Sequence, residues 1–194
     1  MEGLIKALLQ EKRILIGTQL TREDVLKTEI RNEIYLFIRQ NPGVKLNAIK
    51  RENNVGSNQA LWHLKFLEKY EFIRINTFGK QKAFFCFAIP PERDEAFFFL
   101  RNRKVKDLIE FFGKTDELLT ATAISDALNM HYNTAKKYLE VLERLNLLEI
   151  ETNDGKSVCR FDATAHEELD TACNELIKNS IEWFLSHLNL YHGV

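Results

Sequence analysis

The stretch that decides the fold runs from Asn54 to Glu68 and reads N-V-G-S-N-Q-A-L-W-H-L-K-F-L-E. Its apolar residues recur with a helical period and therefore share one helix face: Val55, Ala60, Leu64 and Leu67. Asn54 is a residue type that tolerates the left-handed backbone of a sharp turn between helices. The opposite face opens with small polar groups that can reach base edges from the first turn of a helix: Ser57, Asn58 and Gln59. With a helix over 46–53 before it and a basic hairpin after it, this stretch predicts a DNA-reading helix-turn-helix with a wing.

The same pattern occurs a second time, 75 residues further along the chain. An ungapped shift by that distance pairs identical apolar residues: Ile34 with Ile109, Phe37 with Phe112, Ala48 with Ala123, Ile49 with Ile124, Ala60 with Ala135, Leu64 with Leu139 and Leu67 with Leu142. Asn54 falls on Asn129, so that both copies carry asparagine in the predicted turn. The repeat predicts two copies of one fold, although a repeat alone does not decide the function.

Length and composition agree with two small globular domains. The chain has 194 residues, of which 45% are hydrophobic and 28% charged. We predict a mainly α fold with small β-hairpin wings, made of two tandem winged helix-turn-helix domains and additional N- and C-terminal helices. The predicted parts are an N-terminal helical extension (1–20), the first domain (21–90), a linker helix (91–102), the second domain (103–161) and a C-terminal helix (162–194). The linker helix is expected to continue without a break into the second domain and to end near Gly113.

Charge is distributed unevenly, although the net charge is only −1. Residues 1–90 carry 15 Lys and Arg against 9 Asp and Glu, whereas residues 91–194 carry 12 against 19. A basic first half favours a nucleic-acid partner. The alternative is that the two halves only improve solubility or attract each other.

Two β-hairpins are predicted, one after each recognition-type helix. The first has strands over 72–76 and 82–87 and carries the cations Arg74, Lys80 and Lys82. These suit contacts with phosphate or the minor groove, although lysines that protect a solvated strand edge are the alternative. The second hairpin turns at Asn153-Asp154-Gly155 and carries Lys156.

Two apolar features require a partner, inside the chain or outside it. The aromatic run Phe97-Phe98-Phe99 cannot all face one core, so part of it is expected to meet the other domain or another chain. The predicted C-terminal helix, over 164–190, carries a broad apolar stripe: Leu169, Ala172, Cys173, Leu176, Ile177, Ile181, Phe184 and Leu188. We predict that this helix and the aromatic segment form a homodimer. Folding of the helix over its own second domain is the alternative.

Two segments carry a family resemblance: I-Y-L-F-I-R-Q-N-P-G-V-K-L from Ile34 to Leu46, and A-L-W-H-L-K-F-L-E-K-Y-E-F-I from Ala60 to Ile73. They resemble winged helix-turn-helix regulators of the ArsR/MarR type, and most closely archaeal proteins with two such domains in tandem. The resemblance implies DNA binding and transcriptional control by a dimer. The groove-facing positions that it implies are Asn58, Gln59, Leu61, Trp62 and Lys65 in the first unit, and Asn133, Thr134, Lys136 and Lys137 in the second.

Two departures from the family pattern bear on that expectation. Leu61 and Trp62 stand where small polar or basic residues are usual; Leu61 could contact a thymine methyl or a protein. The second wing is acidic, with Glu149, Glu151 and Asp154. We therefore expect the first domain to be the principal reader.

Motifs of catalysis and of metal binding are absent from the sequence. It has no P-loop, no dinucleotide fingerprint and no H-E-x-x-H, and its five histidines do not combine with cysteine at zinc spacing. We expect no enzyme, cofactor or metal, and we assign His63, Cys86 and Cys159 to core packing. The start of the chain does not resemble a signal peptide and no apolar run is long enough for a bilayer, so we expect a cytoplasmic protein without membrane contact.

Two functions compete at this point. The first is a DNA-binding transcriptional regulator, a dimer that reads duplex DNA chiefly with its first domain. The second is a tandem winged-helix adaptor that binds proteins, as in chromosome-segregation or membrane-remodelling complexes. The isoelectric point of 6.5, the apolar pair Leu61 and Trp62, the aromatic run and the acidic tail favour the adaptor.

Overall fold

The computed structural model of the protein describes residues 22–115, 117–153 and 156–187. The predicted N-terminal helix within 1–20, the turn at Asp154-Gly155 and the predicted last residues of the C-terminal helix lie outside this part of the chain. The described residues comprise the two repeated units, the link between them and most of the C-terminal helix.

The first unit is a helix-turn-helix followed by a two-stranded wing. Its elements are α1 (Arg22–Val25), α2 (Glu29–Gln40), α3 (Leu46–Glu52), α4 (Ser57–Lys69), β1 (Ile73–Phe78) and β2 (Gln81–Cys86). The antiparallel register pairs Ile73 with Cys86 and Phe78 with Gln81, so only Gly79 and Lys80 form the turn. The hairpin is therefore tighter than predicted, and Gly79 has the positive φ of 62° that such a two-residue turn requires.

The link between the units is broken into three pieces and is not the single helix that was predicted. It comprises a 3-10 turn (Pro91–Arg93), α5 (Asp94–Leu100) and, in the second unit, α6 (Arg103–Phe112). The break has a local cause, since the side-chain oxygen of Asn102 accepts a hydrogen bond of 2.9 Å from the backbone N–H of Lys104. Such a cap starts a new helix where the old one would have continued.

The second unit repeats the first and has a larger sheet. After α6 come β3 (Leu119–Thr120), α7 (Ala121–Ala127), α8 (Tyr132–Arg144), β4 (Leu148–Asn153) and β5 (Lys156–Phe161), with the strand order β3-β5-β4. Leu148 pairs with Phe161 as Ile73 pairs with Cys86 in the first wing, at the same 75-residue shift. The predicted fold class, mainly α with β-hairpin wings in two tandem units, is confirmed.

The backbone repeats even at its unusual positions. Asn54 (φ 49°) and Asn129 (φ 46°) are left-handed in the turn of each helix-turn-helix, which confirms the turn predicted from asparagine. A second pair of left-handed residues, Glu71 (φ 59°) and Asn146 (φ 55°), ends the recognition-type helix of each unit. Asparagine adopts this conformation at a lower cost than glutamate, so Glu71 is the more strained member of the pair.

Glu71→Asn is therefore expected to stabilise the protein by about 0.5 kcal/mol, because asparagine enters the left-handed region at a lower cost than glutamate. The contact from Arg22 goes to the Glu71 carbonyl oxygen and survives the change. Urea unfolding measures the effect. Glu68→Asn is the matched control: Glu68 lies in a helix, where asparagine is the poorer residue, and the change is expected to destabilise. A destabilised Glu71→Asn protein would contradict the interpretation.

The aromatic run is buried inside the chain. Phe97, Phe98 and Phe99 are only 5–7% exposed. Phe98 stacks on Phe78 of the first wing with ring centroids 4.3 Å apart, and Phe99 meets Tyr138 of α8 at 6.4 Å. The prediction that the run meets the other domain is confirmed. The prediction that this segment forms a dimer interface is wrong, because its rings are already covered by both units.

Gly43 allows the first unit to approach the link closely. It has a φ of 80°, and a Cβ placed on it would lie 3.1 Å from the backbone Cα of Phe98. Its N–H donates a hydrogen bond of 2.9 Å to the Phe84 carbonyl oxygen. The Asn41-Pro42-Gly43 turn thus ends α2 and also packs against α5.

The C-terminal helix α9 (Ala163–Ser186) spans both units. It begins beside the second wing, where His166 lies 5.8 Å from the ring of Phe161. It ends on α2 of the first unit: Phe184 is 1% exposed and its ring meets Tyr35 at 5.4 Å. Arg39, itself buried, donates to the carbonyl oxygen of Ser180. Of the predicted stripe, Cys173 and Phe184 are buried and the other described members are partly buried, while Leu188 lies outside the described residues. The first unit provides much of this cover, which neither prediction for this helix included.

Candidate nucleic-acid interface

The recognition helix α4 presents a polar front and a buried back. Leu64 is 2% exposed and both Ala60 and Leu67 are fully buried, which confirms the predicted apolar face. The predicted front residues are all exposed: Ser57, Asn58, Gln59, Leu61, Trp62 and Lys65. Side chains of the first turn point outward, where a helix entering a major groove meets base edges.

Trp62 is half-exposed and rests on a buried cation. The residue is 51% exposed, and the guanidinium of Arg31 lies 5.1 Å from the centroid of its ring. Arg31 is 2% exposed, stacks on Phe66 at 4.7 Å and donates a hydrogen bond of 2.9 Å to the Val25 carbonyl oxygen. These contacts hold the Trp62 ring at the front of α4. The helical pattern of the sequence contains no signal for this role of Arg31.

His63 lies on the back of the same helix. It is 4% exposed and packs edge-on against Trp62 at 4.9 Å between ring centroids. Burial, and then the charge of Arg31, lower the pKa of His63. The side chain packs in the interior, as predicted.

The first wing presents two lysines at its tip. Lys80 stands in the two-residue turn, and Lys82 pairs with Thr77 just behind it. Both side chains are exposed, and in the part of the chain that the structure describes neither forms an ion pair with a carboxylate. Their charges are therefore available to an anion.

Arg74 does not belong to this cationic tip, which corrects the prediction made for it. Its guanidinium forms an ion pair with Asp94 of α5. It also donates from Nε to Asp94 at 3.2 Å and from Nη1 to the Cys86 carbonyl oxygen at 3.0 Å. Asp94 is 2% exposed, so the pair is largely buried. Arg74 fastens the wing to the link between the units.

The second recognition-type helix, α8, faces the first wing with part of its front. Asn133, Lys136 and Lys137 are exposed and Thr134 is half-buried. A cleft of about 400 Å³ separates α8 from the first wing, and it is lined by Lys137, Glu140 and Arg144 on one side and by Thr77, Phe78, Gly79 and Gln81 on the other. Lys156 opens β5, and its side chain lies outside the described part.

The structure thus brings the predicted residues into two groups. Ser57, Asn58, Gln59, Leu61, Trp62 and Lys65 share the front of α4. Lys137 and the turn that carries Lys80 border one cleft. On the second wing Glu149 and Glu151 are exposed on β4, and the exposed Arg160 of β5 lies opposite Glu149.

The described residues show neither a metal site nor a reactive thiol. No group of three His, Cys, Asp or Glu side chains there has the arrangement of metal ligands. Cys86, Cys159 and Cys173 are free and buried, and burial raises the pKa of each thiol. None of the described helices combines the length and apolarity that a bilayer crossing requires.

These units, each a helix-turn-helix with a wing, define a tandem winged helix-turn-helix protein. No family model matches the chain. The chain is 30% identical over 148 residues to an uncharacterized HTH-type transcriptional regulator of Methanocaldococcus jannaschii. The match covers 75% of this chain and 37% of the relative, so the chain spans little more than a third of the relative's length.

Among solved structures, the chain is similar to a possible transcriptional regulator from Methanosarcina mazei Go1. The two share 12% identity with a TM-score of 0.34, over 60% of this chain and 92% of the other. A similarity with so low a TM-score supports no conclusion about the function of this chain.

Proposed function

We propose that the protein is a DNA-binding transcriptional regulator whose first unit is the principal reader of duplex DNA. One observation carries the proposal: α4 exposes a polar first turn while its back is buried, and the wing beside it exposes two lysines without carboxylate partners among the described residues. This combination suits a helix in the major groove with a wing on the backbone. The M. jannaschii relative's description as an HTH-type transcriptional regulator supports the same conclusion.

Within this proposal the predicted contacts have separate roles. Asn58 and Gln59 are amides that can bond adenine bidentately, Ser57 accepts or donates, and Leu61 and Trp62 suit thymine methyls. Lys65, Lys80 and Lys82 neutralise phosphates. In the second unit Asn133, Thr134, Lys136, Lys137 and Lys156 are the corresponding candidates.

We further propose the domain boundaries 21–90 and 103–161, the ArsR/MarR-like subtype and a homodimer. Support for a dimer through the C-terminal helix comes from Trp183 and Leu185, which are 52% and 58% exposed near its end. We expect a cytoplasmic protein, because a regulator of transcription must reach the DNA. We expect neither catalytic activity nor a cofactor, because binding to DNA requires neither.

A titration of random-sequence duplex DNA at low salt, followed by fluorescence anisotropy, tests the proposal. We expect binding that weakens steeply as salt rises, because lysine contacts release counterions. Absence of duplex binding even at low salt would overturn the proposal and would favour the protein-binding adaptor instead. Selection of bound fragments from genomic DNA then identifies the preferred site.

Gln59→Ala is expected to flatten sequence preference at one base position, because a bidentate amide contact discriminates by roughly 1–3 kcal/mol. Lys80→Ala is the matched control and is expected to weaken all sequences alike, since phosphate contacts carry no sequence information. Binding to a library of single-base variants of the selected site measures both. Unchanged discrimination by Gln59→Ala would remove Gln59 from the reading surface.

A further inference from the structure

We propose that the first wing and α8 form one composite surface for the phosphate backbone of duplex DNA. Lys137 adds its charge to that of Lys80, and the second unit positions the protein without reading bases. This inference rests on the proposed function, and it assigns to the second recognition-type helix a different role from the first.

Four side chains of α8 follow one helical stripe, and three of them line the cleft beside the first wing. Asn133, Lys137, Glu140 and Arg144 are spaced by three or four residues and therefore lie on one face. The last three line the cleft whose other side is Thr77, Phe78, Gly79 and Gln81 of the wing. Lys80 stands between two of these wing residues. The tip of the wing and the middle of α8 therefore face the same space.

This arrangement prevents α8 from entering a major groove along its length. The groove of B-DNA is about 12 Å wide and an α-helix with its side chains is about 10–12 Å across, so a single helix fills it. A helix together with the hairpin beside it is wider than the major groove. Backbone phosphates remain accessible to both elements, because Lys80 and Lys137 are exposed.

Three contacts hold the wing and α8 in fixed positions on the link. Phe78 of the wing stacks on Phe98 of α5 at 4.3 Å. The side-chain amide of Asn102 donates a hydrogen bond of 3.1 Å to the hydroxyl of Tyr138, and Arg144 pairs with Glu95 at 2.7 Å. These contacts hold the two lysine-bearing elements beside each other, so that one stretch of DNA can meet both.

The charges around the cleft leave Lys137 available to an anion. Arg144 is engaged by Glu95, whereas none of the ion pairs among the described residues involves Lys137. Glu140 is exposed, borders the same cleft and is likewise absent from those ion pairs. A phosphate bound there would be attracted by Lys137 and repelled by Glu140.

The test measures anisotropy of labelled random-sequence duplex over a salt series. Lys137→Ala is expected to lower the slope of log affinity against log salt by about 0.9, as one lost phosphate contact does, and Lys80→Ala to do the same. Glu140→Gln is expected to tighten binding about twofold at low salt, because it removes a like charge beside the backbone. A gain of affinity cannot result from misfolding.

Two control variants, Lys178→Ala and Glu143→Gln, carry the same charge changes outside the cleft. Lys178 lies on the exposed side of α9, and Glu143 lies on α8 near Cys159 of the second wing, whose pKa is raised first by burial and then by the charge of Glu143. Both variants are expected to leave unchanged the affinity for duplex DNA and the slope of log affinity against log salt. Thermal unfolding of every variant confirms that the fold is intact.

Asn133→Ala completes the test, because it separates positioning from reading. We expect the preference over single-base variants of the selected site to be unchanged, whereas Gln59→Ala alters it. A second set of base positions that depends on Asn133 would overturn the inference, as would Lys137→Ala and Glu140→Gln proteins that behave like their controls. If the wild-type protein binds no duplex, the proposed function and the composite surface are both wrong. If it binds duplex but these variants change neither the affinity nor its salt dependence, only the composite surface is wrong.

Discussion

Asp94→Ala is expected to lower the free energy of unfolding by about 3 kcal/mol, because it leaves the Arg74 guanidinium largely buried without its carboxylate. The Asp94 side chain is 2% exposed and that of Arg74 is 17% exposed. Because Arg74 keeps some contact with solvent, we expect a cost near the lower end of the range for breaking a buried ion pair. Urea unfolding, monitored by circular dichroism, measures the change. The loss should appear as a lower midpoint with an unchanged slope.

The double variant Arg74→Met, Asp94→Ala is the control for this prediction. Removing both charges eliminates the uncompensated cation, so most of the lost stability should return. A double variant as unstable as Asp94→Ala would mean that packing at this place, and not the unpaired charge, accounts for the loss. Such a result would contradict the assignment of Arg74 to the internal structure.

The double charge reversal Lys80→Glu, Lys82→Glu is expected to weaken binding to random-sequence duplex DNA by about 100-fold near 0.1 M salt. Two phosphate contacts are lost and two carboxylates face the backbone instead. Both positions are exposed, so the fold should be unaffected. Anisotropy titrations at several salt concentrations measure the affinity and its salt dependence.

A second double reversal, Lys114→Glu, Lys178→Glu, changes the net charge by the same amount. Both lysines lie in exposed i,i+4 pairs, with Glu110 and Glu182, outside the proposed interface. This control protein should bind nearly as wild type does. Equal weakening by the two double variants would show that net charge alone drives binding and would remove the wing from the interface.

Much of the fold could be predicted from local pattern. The apolar period of Ala60, Leu64 and Leu67 predicts the back of α4, and each of the three is nearly or fully buried. The paired asparagines Asn54 and Asn129 predict left-handed turns, and both are left-handed. Predictions of this kind succeed because the helical period decides which side chains share a face, and because the left-handed conformation follows from the preference of asparagine itself.

The candidate site could be predicted only in part. The exposed front of α4 follows from the helical period, since the polar side of an amphipathic helix faces outward. Arg74 was grouped with Lys80 and Lys82 because all three are cations on one hairpin. The distinction between them depends on Asp94, twenty residues away, which accepts hydrogen bonds from Arg74.

The sequence by itself therefore determined the order of elements, the twofold repeat, the turns and the apolar faces. These features depend on hydrophobic period and backbone preference, which are short-range properties. Only tertiary packing decided that Arg31 contacts Trp62, that the aromatic run is buried between the units and that α9 contacts both of them. It also turned the front of α8 toward the first wing. Contacts of this kind join residues far apart in the chain, and their outcome depends on shape and charge at surfaces that exist only after the units have folded.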